Sequence, residues 1–93
     1  MQKPYAGDVG TELLLDVHED LTGAMVGIAV RKPSGAETVW DATVHESQSV
    51  RHTIAAGDFN ETGIYCVQPV IRLAGGWSGR GATAEFRVYE KYQ

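Results

Sequence analysis

Apolar and polar side chains alternate with a period of two through nearly every segment of this chain, and a helical period appears nowhere, which confines it to extended structure. The longest such run, ETGIYCVQPVIRL from Glu61 to Leu73, sets Tyr65, Val67, Ile71 and Leu73 on one parity and Ile64, Cys66, Gln68, Val70 and Arg72 on the other. Both parities are partly apolar, so this strand is expected to lie at the centre of a sheet or to be covered on its outer side. Pro69 has no N–H for the ladder, and an edge position or a bulge is expected there.

The remaining segments follow the same rule. TELLLDV turns Leu13, Leu15 and Val17 inward against Glu12 and Asp16, and AMVGIAVRK sets Val26, Ile28 and Val30 against Met25, Gly27 and Ala29. Lys32-Pro33-Ser34-Gly35 has Pro at the second turn position and Gly at the fourth, which predicts a type I turn closing a hairpin. Its second arm, ETVWDATV, puts Trp40, Ala42 and Val44 on one face, and SVRHTI does the same with Val50 and Ile54. AAGDFNETG reads as a corner, with Asp58 capping a short helical turn and Phe59 plugging the space beneath. Beyond AGGWSGRG, the last strand ATAEFRVYE turns Ala84, Phe86 and Val88 inward against Glu85 and Arg87.

With 93 residues the chain is expected to form a single domain over 1–93, residues 1–9 being a lead-in segment. Six or seven short antiparallel strands without helix predict an all-β, two-sheet sandwich. Trp40 on the third strand, and Gly63-x-Tyr65 opening the long strand after a corner, point to an immunoglobulin-like arrangement with a tyrosine corner. In that arrangement a half-cystine sits two residues past the tyrosine and faces inward. Here Val67 holds that place, and Cys66, the only cysteine, takes the opposite parity, so no internal disulfide can form. Burial alone must hold such a domain, and it can fold in a reducing cytoplasm.

Eight Lys plus Arg against twelve Asp plus Glu, scattered singly, argue against a nucleic-acid partner. No run reaches the roughly 18 apolar residues of a membrane span, and MQKPYAGDVG lacks the apolar centre of a secretory signal, so the chain is not expected to export itself. No catalytic, cofactor-binding or metal-ligating residue is assigned. Asp16, His18 and Asp20 would alternate onto one face as metal ligands, but they run into an acidic turn without a fourth ligand at a fixed spacing. His45 beside Glu46, and His52 near serines, lack a serine in a strained elbow, and no enzyme is expected. GGWSGRG is followed by a strand instead of the helix N-terminus a phosphate loop needs. Cys66 has no adjacent cation to activate it. Asn60-Glu61-Thr62 matches a glycosylation pattern that matters only in a eukaryotic secretory context.

The surface offers more. Trp77 and Arg80, residue types enriched at binding hot spots, stand on a hairpin tip. Met25, Ile64, Cys66 and Val70 are apolar on an outward parity, which suggests contact with another subunit. Together these six residues are the candidate partner-binding set.

The succession YAGDVGTELLLDV, DLTGAMVGIAVRKPSG, VWDATV, AAGDFNETGIYCVQPVIRL and GWSGRGATAEFRVYE resembles small phage virion proteins. It is similar to the immunoglobulin-like N-terminal domain of phage baseplate upper proteins, over nearly the whole chain. Gly7-Asp8, Asp20 to Ala24, Lys32-Pro33-x-Gly35, Asp58 to Tyr65 and Trp77-x-Gly79 carry the resemblance. It implies a virion component of tail, baseplate or capsid surface, made in the cytoplasm of a bacterial host. Its partners would be other virion proteins, and copies could associate with each other. Without the long helical or receptor-binding extension of full baseplate proteins, the chain would be expected to act as a freestanding module. The rival expectation is a carbohydrate-binding or adhesion module, in which Trp77 with Tyr89 or Tyr92 stacks on the sugars of a host glycan.

Overall fold

The computed structural model describes residues 3–93; the first two residues of the 1–9 lead-in lie outside the described residues. Eight strands form in order: β1 (Glu12–Asp16), β2 (Met25–Arg31), β3 (Glu37–Asp41), β4 (Thr43–His45), β5 (Ser49–Thr53), β6 (Gly63–Arg72), β7 (Ser78–Arg80) and β8 (Ala84–Val88). They make a three-stranded sheet in the order β1-β5-β4 and a five-stranded sheet in the order β3-β2-β6-β7, with β8 also paired to β6. Neither β1 nor β2 pairs with the other, although they are consecutive; β1 joins β5, and β2 joins β6, all antiparallel. Such crossings between two sheets are those of an immunoglobulin-like sandwich.

The strand count exceeds the six or seven read from the sequence, for two physical reasons. ETVWDATV is one run by parity, yet it changes sheet at Ala42. Trp40 pairs with Ile28 of β2 in one layer, and Val44 pairs with Val50 of β5 in the other. The second reason lies at Pro69. The last strand is interrupted at residues 81–83, so β7 pairs with Val70 to Arg72 and β8 with Gly63 to Val67. Because β2 and β8 flank it, β6 is central, and the expected irregularity lies in its neighbour. The Pro69 carbonyl accepts from the Gly81 N–H at 3.0 Å. In an antiparallel ladder a residue's N–H and C=O point to the same side, so the missing donor of Pro69 faces the interruption, where no acceptor waits for it.

The core between the layers is built from the inward parities. Leu13, Leu15 and Val50 come from one sheet, and Ile28, Val30, Trp40, Tyr65, Val67, Ile71 and Val88 from the other. Phe59 closes the corner end, tilted against Trp40 at 6.0 Å and edge-on to Tyr65 at 5.6 Å, while Tyr65 stacks on Phe86 at 5.6 Å and 10°. Each such pair adds about 0.5–1.5 kcal/mol beyond the area it buries. Trp40 is buried as expected, but on β3 at the margin of its sheet; the central position beside it belongs to Ile28. Val67 is buried and Cys66 faces out as a free thiol, as the parity required.

Two hairpins share one turn. The Lys32 carbonyl accepts from Gly35 N–H at 2.8 Å and the Lys32 N–H reaches Ala36 O at 2.8 Å; Leu73, Gly76 and Trp77 repeat this at 3.0 and 2.7 Å. Gly35 and Gly76 close them at φ 91° and 98°, a conformation that penalises a side chain. The corner after β5 is a turn, not the helical turn expected: the Asp58 carboxylate folds back to accept the Ala55 N–H at 2.8 Å. The Tyr65 hydroxyl then donates to the Glu61 carbonyl at 3.1 Å and accepts the Glu61 N–H at 3.2 Å, which is a tyrosine corner. The lead-in is ordered against the last strand: Tyr5 bridges Tyr89 in parallel, with Ala6 N–H to Tyr89 O and Tyr89 N–H to Pro4 O, both at 2.9 Å.

Candidate docking face

The outer face of the five-stranded sheet gathers most of the residues singled out from the sequence. Register places Glu37, Arg31, Cys66 and Glu85 in one row across β3, β2, β6 and β8. The next row is Val39, Ala29 and Gln68, followed by Asp41, Gly27, Val70 and Arg80. Met25 and Arg72 end the face on one side, Ile64 and Arg87 on the other. Because Ala29 carries so small a side chain, β2 forms the floor of a trough of about 290 Å³, walled by Val39, Gln68 and Arg80. Met25 is 69% exposed, Val39 67% and Ile64 39%, while Cys66 and Val70 are half-buried. Met25 and Ile64 stand at opposite ends of the face, with Val39 beside the trough between them; exposed apolar side chains on one face are a mark of contact surfaces.

Val39 is the member that the sequence reading passed over. Its signal was present, since a strand that turns Trp40 inward must turn Val39 outward. Gln68 ties the face to the interrupted strand: its Nε2 donates to Gly81 O at 3.1 Å, and its Oε1 accepts from Arg80 at 3.5 Å. Beside it, the Cys66 thiol approaches Glu85 Oε2 at 3.4 Å. Partial burial pushes this thiol above its ordinary range, and the Glu85 carboxylate pushes it further, although Arg31 across the sheet pulls the other way. A thiol shifted in this direction carries less thiolate near neutrality than a free cysteine.

Trp77 and Arg80 do not act together. Arg80 pairs with Val70 and faces out, whereas Gly79 pairs with the inward Ile71, and the Trp77 indole lies over Gly79. A Cβ at Gly79 would come within 2.6 Å of that ring. Trp77 thus flanks the open end of the sandwich on the opposite side of β7, 51% exposed. Tyr89 and Tyr92 follow β8, whose pairing with the start of β6 places them at the far end of that strand. The ten residues of β6 span roughly 30 Å, so the three aromatics form no common platform. Tyr89 instead receives the Lys3 ammonium at 4.4 Å.

The β1 and β3 edges are less suited to contact with another copy. β1 carries Glu12 and Asp16 at its two ends, and β3 carries Glu37 and Asp41. Antiparallel self-pairing centred on Leu14 or Val39 would set acid against acid across the new ladder, an arrangement that discourages edge association.

The metal arrangement considered at Asp16, His18 and Asp20 is dispersed. Asp16 accepts from Ser49 Oγ at 2.6 Å, Asp20 accepts from Thr22 N–H and Oγ at 3.0 and 2.6 Å, and His18 at φ 63° breaks the alternation. Those Thr22 hydrogen bonds hold the Asp20 carboxyl below its ordinary range. Among the described residues no group of three His, Cys, Asp or Glu side chains is placed to hold a metal ion. No helix among the described residues is long and apolar enough to cross a membrane. No protein-family model, curated protein or solved structure matches the chain.

Proposed function

We propose that the domain is a non-catalytic structural module of a phage particle that meets neighbouring virion subunits through the outer face of its five-stranded sheet. The virion assignment rests on the sequence resemblance. The docking assignment rests on one observation: Val39 stands exposed beside a trough on the outer face that Ala29, Cys66 and Gln68 line, with Arg80 at its margin. A flat sheet face with apolar side chains and an Arg at its margin offers a partner both burial and orientation. Imaging of purified particles carrying a labelled chain, with a photo-crosslinker at position 39, tests both parts. Capture of a virion subunit from that position supports the reading. Absence of the chain from purified particles ends the virion assignment, and no capture from position 39 in particles that carry the chain ends the choice of face.

One observation favours a second reading, a glycan-binding module: the indole of Trp77 lies over Gly79 and is half exposed, so that part of the ring is open to stack on a sugar. Titration of host-wall glycans against tryptophan emission, in native chain and in Trp77→Phe, decides it. A flat response across the panel removes this reading and leaves the first intact.

A further inference from the structure

His52 is the one buried polar side chain among the described residues. It lies between Val50 and Ile54 on the inward parity of β5, with Leu13 of β1 as its register partner. Both ring nitrogens meet oxygen: Nδ1 faces the Asp41 carbonyl, and Nε2 lies 2.8 Å from Oδ2 of Asp58. A carbonyl can only accept, so Nδ1 carries a proton. In a neutral ring Nε2 would then present a bare lone pair to Oδ2, which already accepts the Ala55 N–H. Two lone pairs facing each other at this distance repel, and burial removes the water that could intervene. A proton placed between Nε2 and Oδ2 would turn that repulsion into a hydrogen bond. The ring also stacks on Trp40, centroids 4.9 Å apart at 16°, a face that suits a ring bearing positive charge.

We propose that His52, Asp58 and the Asp41 carbonyl form a proton-dependent clasp: the proton shared between Nε2 and Oδ2 ties β5 to the corner and to β3, and its loss releases the corner. The charged groups around it do not take over this duty. Asp41 itself is exposed and contributes its carbonyl; Arg51, next on β5, turns to the other face and approaches Glu12 of β1 at 3.8 Å. From β6 the Tyr65 hydroxyl lies 3.5 Å from the Asp58 carbonyl and bonds to the backbone of Glu61, leaving the Asp58 carboxylate to the histidine and Ala55. Since Trp40 and Asp41 belong to β3, opening also loosens the strand that supplies Val39 to the outer face. That last consequence alone rests on the docking reading.

The experiment follows the His52 ring nitrogens of the full chain by ¹H–¹⁵N spectroscopy from about pH 5 to 9, the range in which imidazoles exchange protons. Amide exchange at Ala55 and Trp40 emission in a Trp77→Phe background are recorded alongside. The expected result is two ring N–H protons at the acid end, and loss of the second together with faster Ala55 exchange and a shifted Trp40 emission. These changes should precede any change in far-ultraviolet circular dichroism. Asp58→Asn can turn its amide to donate to a neutral ring, and should show no coupled opening over the same range. A single ring N–H throughout, or loss of the second without change at Ala55 and Trp40, overturns the clasp. The native chain alone decides this if the variant does not fold. Failure of virion capture, with the two N–H protons present, would count against the docking reading only.

Discussion

The ring of Pro69 occupies the space that a side chain at position 81 would need: a Cβ on Gly81 would lie 2.6 Å from Pro69 Cγ. The pyrrolidine cannot swing aside as a flexible chain could, so β6 and the interruption after β7 fit only as a pair.

Gly81→Ala should therefore destabilise the domain by about 1–3 kcal/mol, the usual cost of forcing an extra group into packed structure. Pro69→Ala removes the obstructing ring, and the double variant should recover much of the loss. A double-mutant cycle by urea denaturation measures the coupling. Simple additivity of the two losses would show that the close approach has no energetic weight.

The tyrosine corner has a pH signature. Burial raises the Tyr65 hydroxyl above its ordinary value of 10.0; its hydrogen bond to Glu61 opposes this in part, and the nearby Glu61 and Asp58 charges add to the rise. With the folded value above the unfolded one, the folded state holds the proton more tightly. The associated stability is complete below pH 10.0 and is lost as pH climbs through the folded value. Tyr65→Phe should cost about 1–3 kcal/mol near neutrality, because the Glu61 groups lose their partner. It should also flatten the alkaline limb of a stability-against-pH curve, where an unchanged limb would contradict the assignment.

Cys66 should react sluggishly. With its thiol held above the ordinary range, less thiolate is present at mildly alkaline pH, so alkylation of the folded chain should be slower than in denaturant. Glu85→Gln removes a negative neighbour 3.4 Å away and should speed the reaction several-fold without unfolding. Equal rates in native chain and variant would remove Glu85 as a cause.

Val39→Lys and Val70→Lys separate contact from stability. Val39 is exposed and Val70 half-buried, both on the outer face, so each substitution should change folding free energy by only about 0.5 kcal/mol. Incorporation into particles should nevertheless fall sharply if this face meets a subunit. Quantitative recovery of both variants in purified particles would place the contact elsewhere.

Much of the architecture could be read from the chain because it depends on short-range rules. Period two fixed the inward sets on β1, β2, β6 and β8, and the outward place of Cys66 beside inward Val67. Turn chemistry at Lys32 to Gly35, and the spacing from the corner to Tyr65, are equally local. The passage at Ala42 was hidden because a strand can change layer while keeping its parity, so ETVWDATV looks unbroken. Pro69 announced an irregularity but not which strand would bear it. For the docking set, parity sufficed for Met25, Ile64, Cys66 and Val70, and applied to positions 77 and 80 it would also have parted Trp77 from Arg80. His52 was legible as inward between Val50 and Ile54, but its meeting with Asp58 and the Asp41 carbonyl depends on how the corner folds over β5, which no spacing reveals.

The parallel bridge between Tyr5 and Tyr89 gives the molecule a mechanical direction. The two segments run in the same sense through the bridge, so tension applied along them loads the Ala6–Tyr89 and Tyr89–Pro4 hydrogen bonds together, in shear. Two bonds loaded in this way share the force instead of being peeled open one after the other.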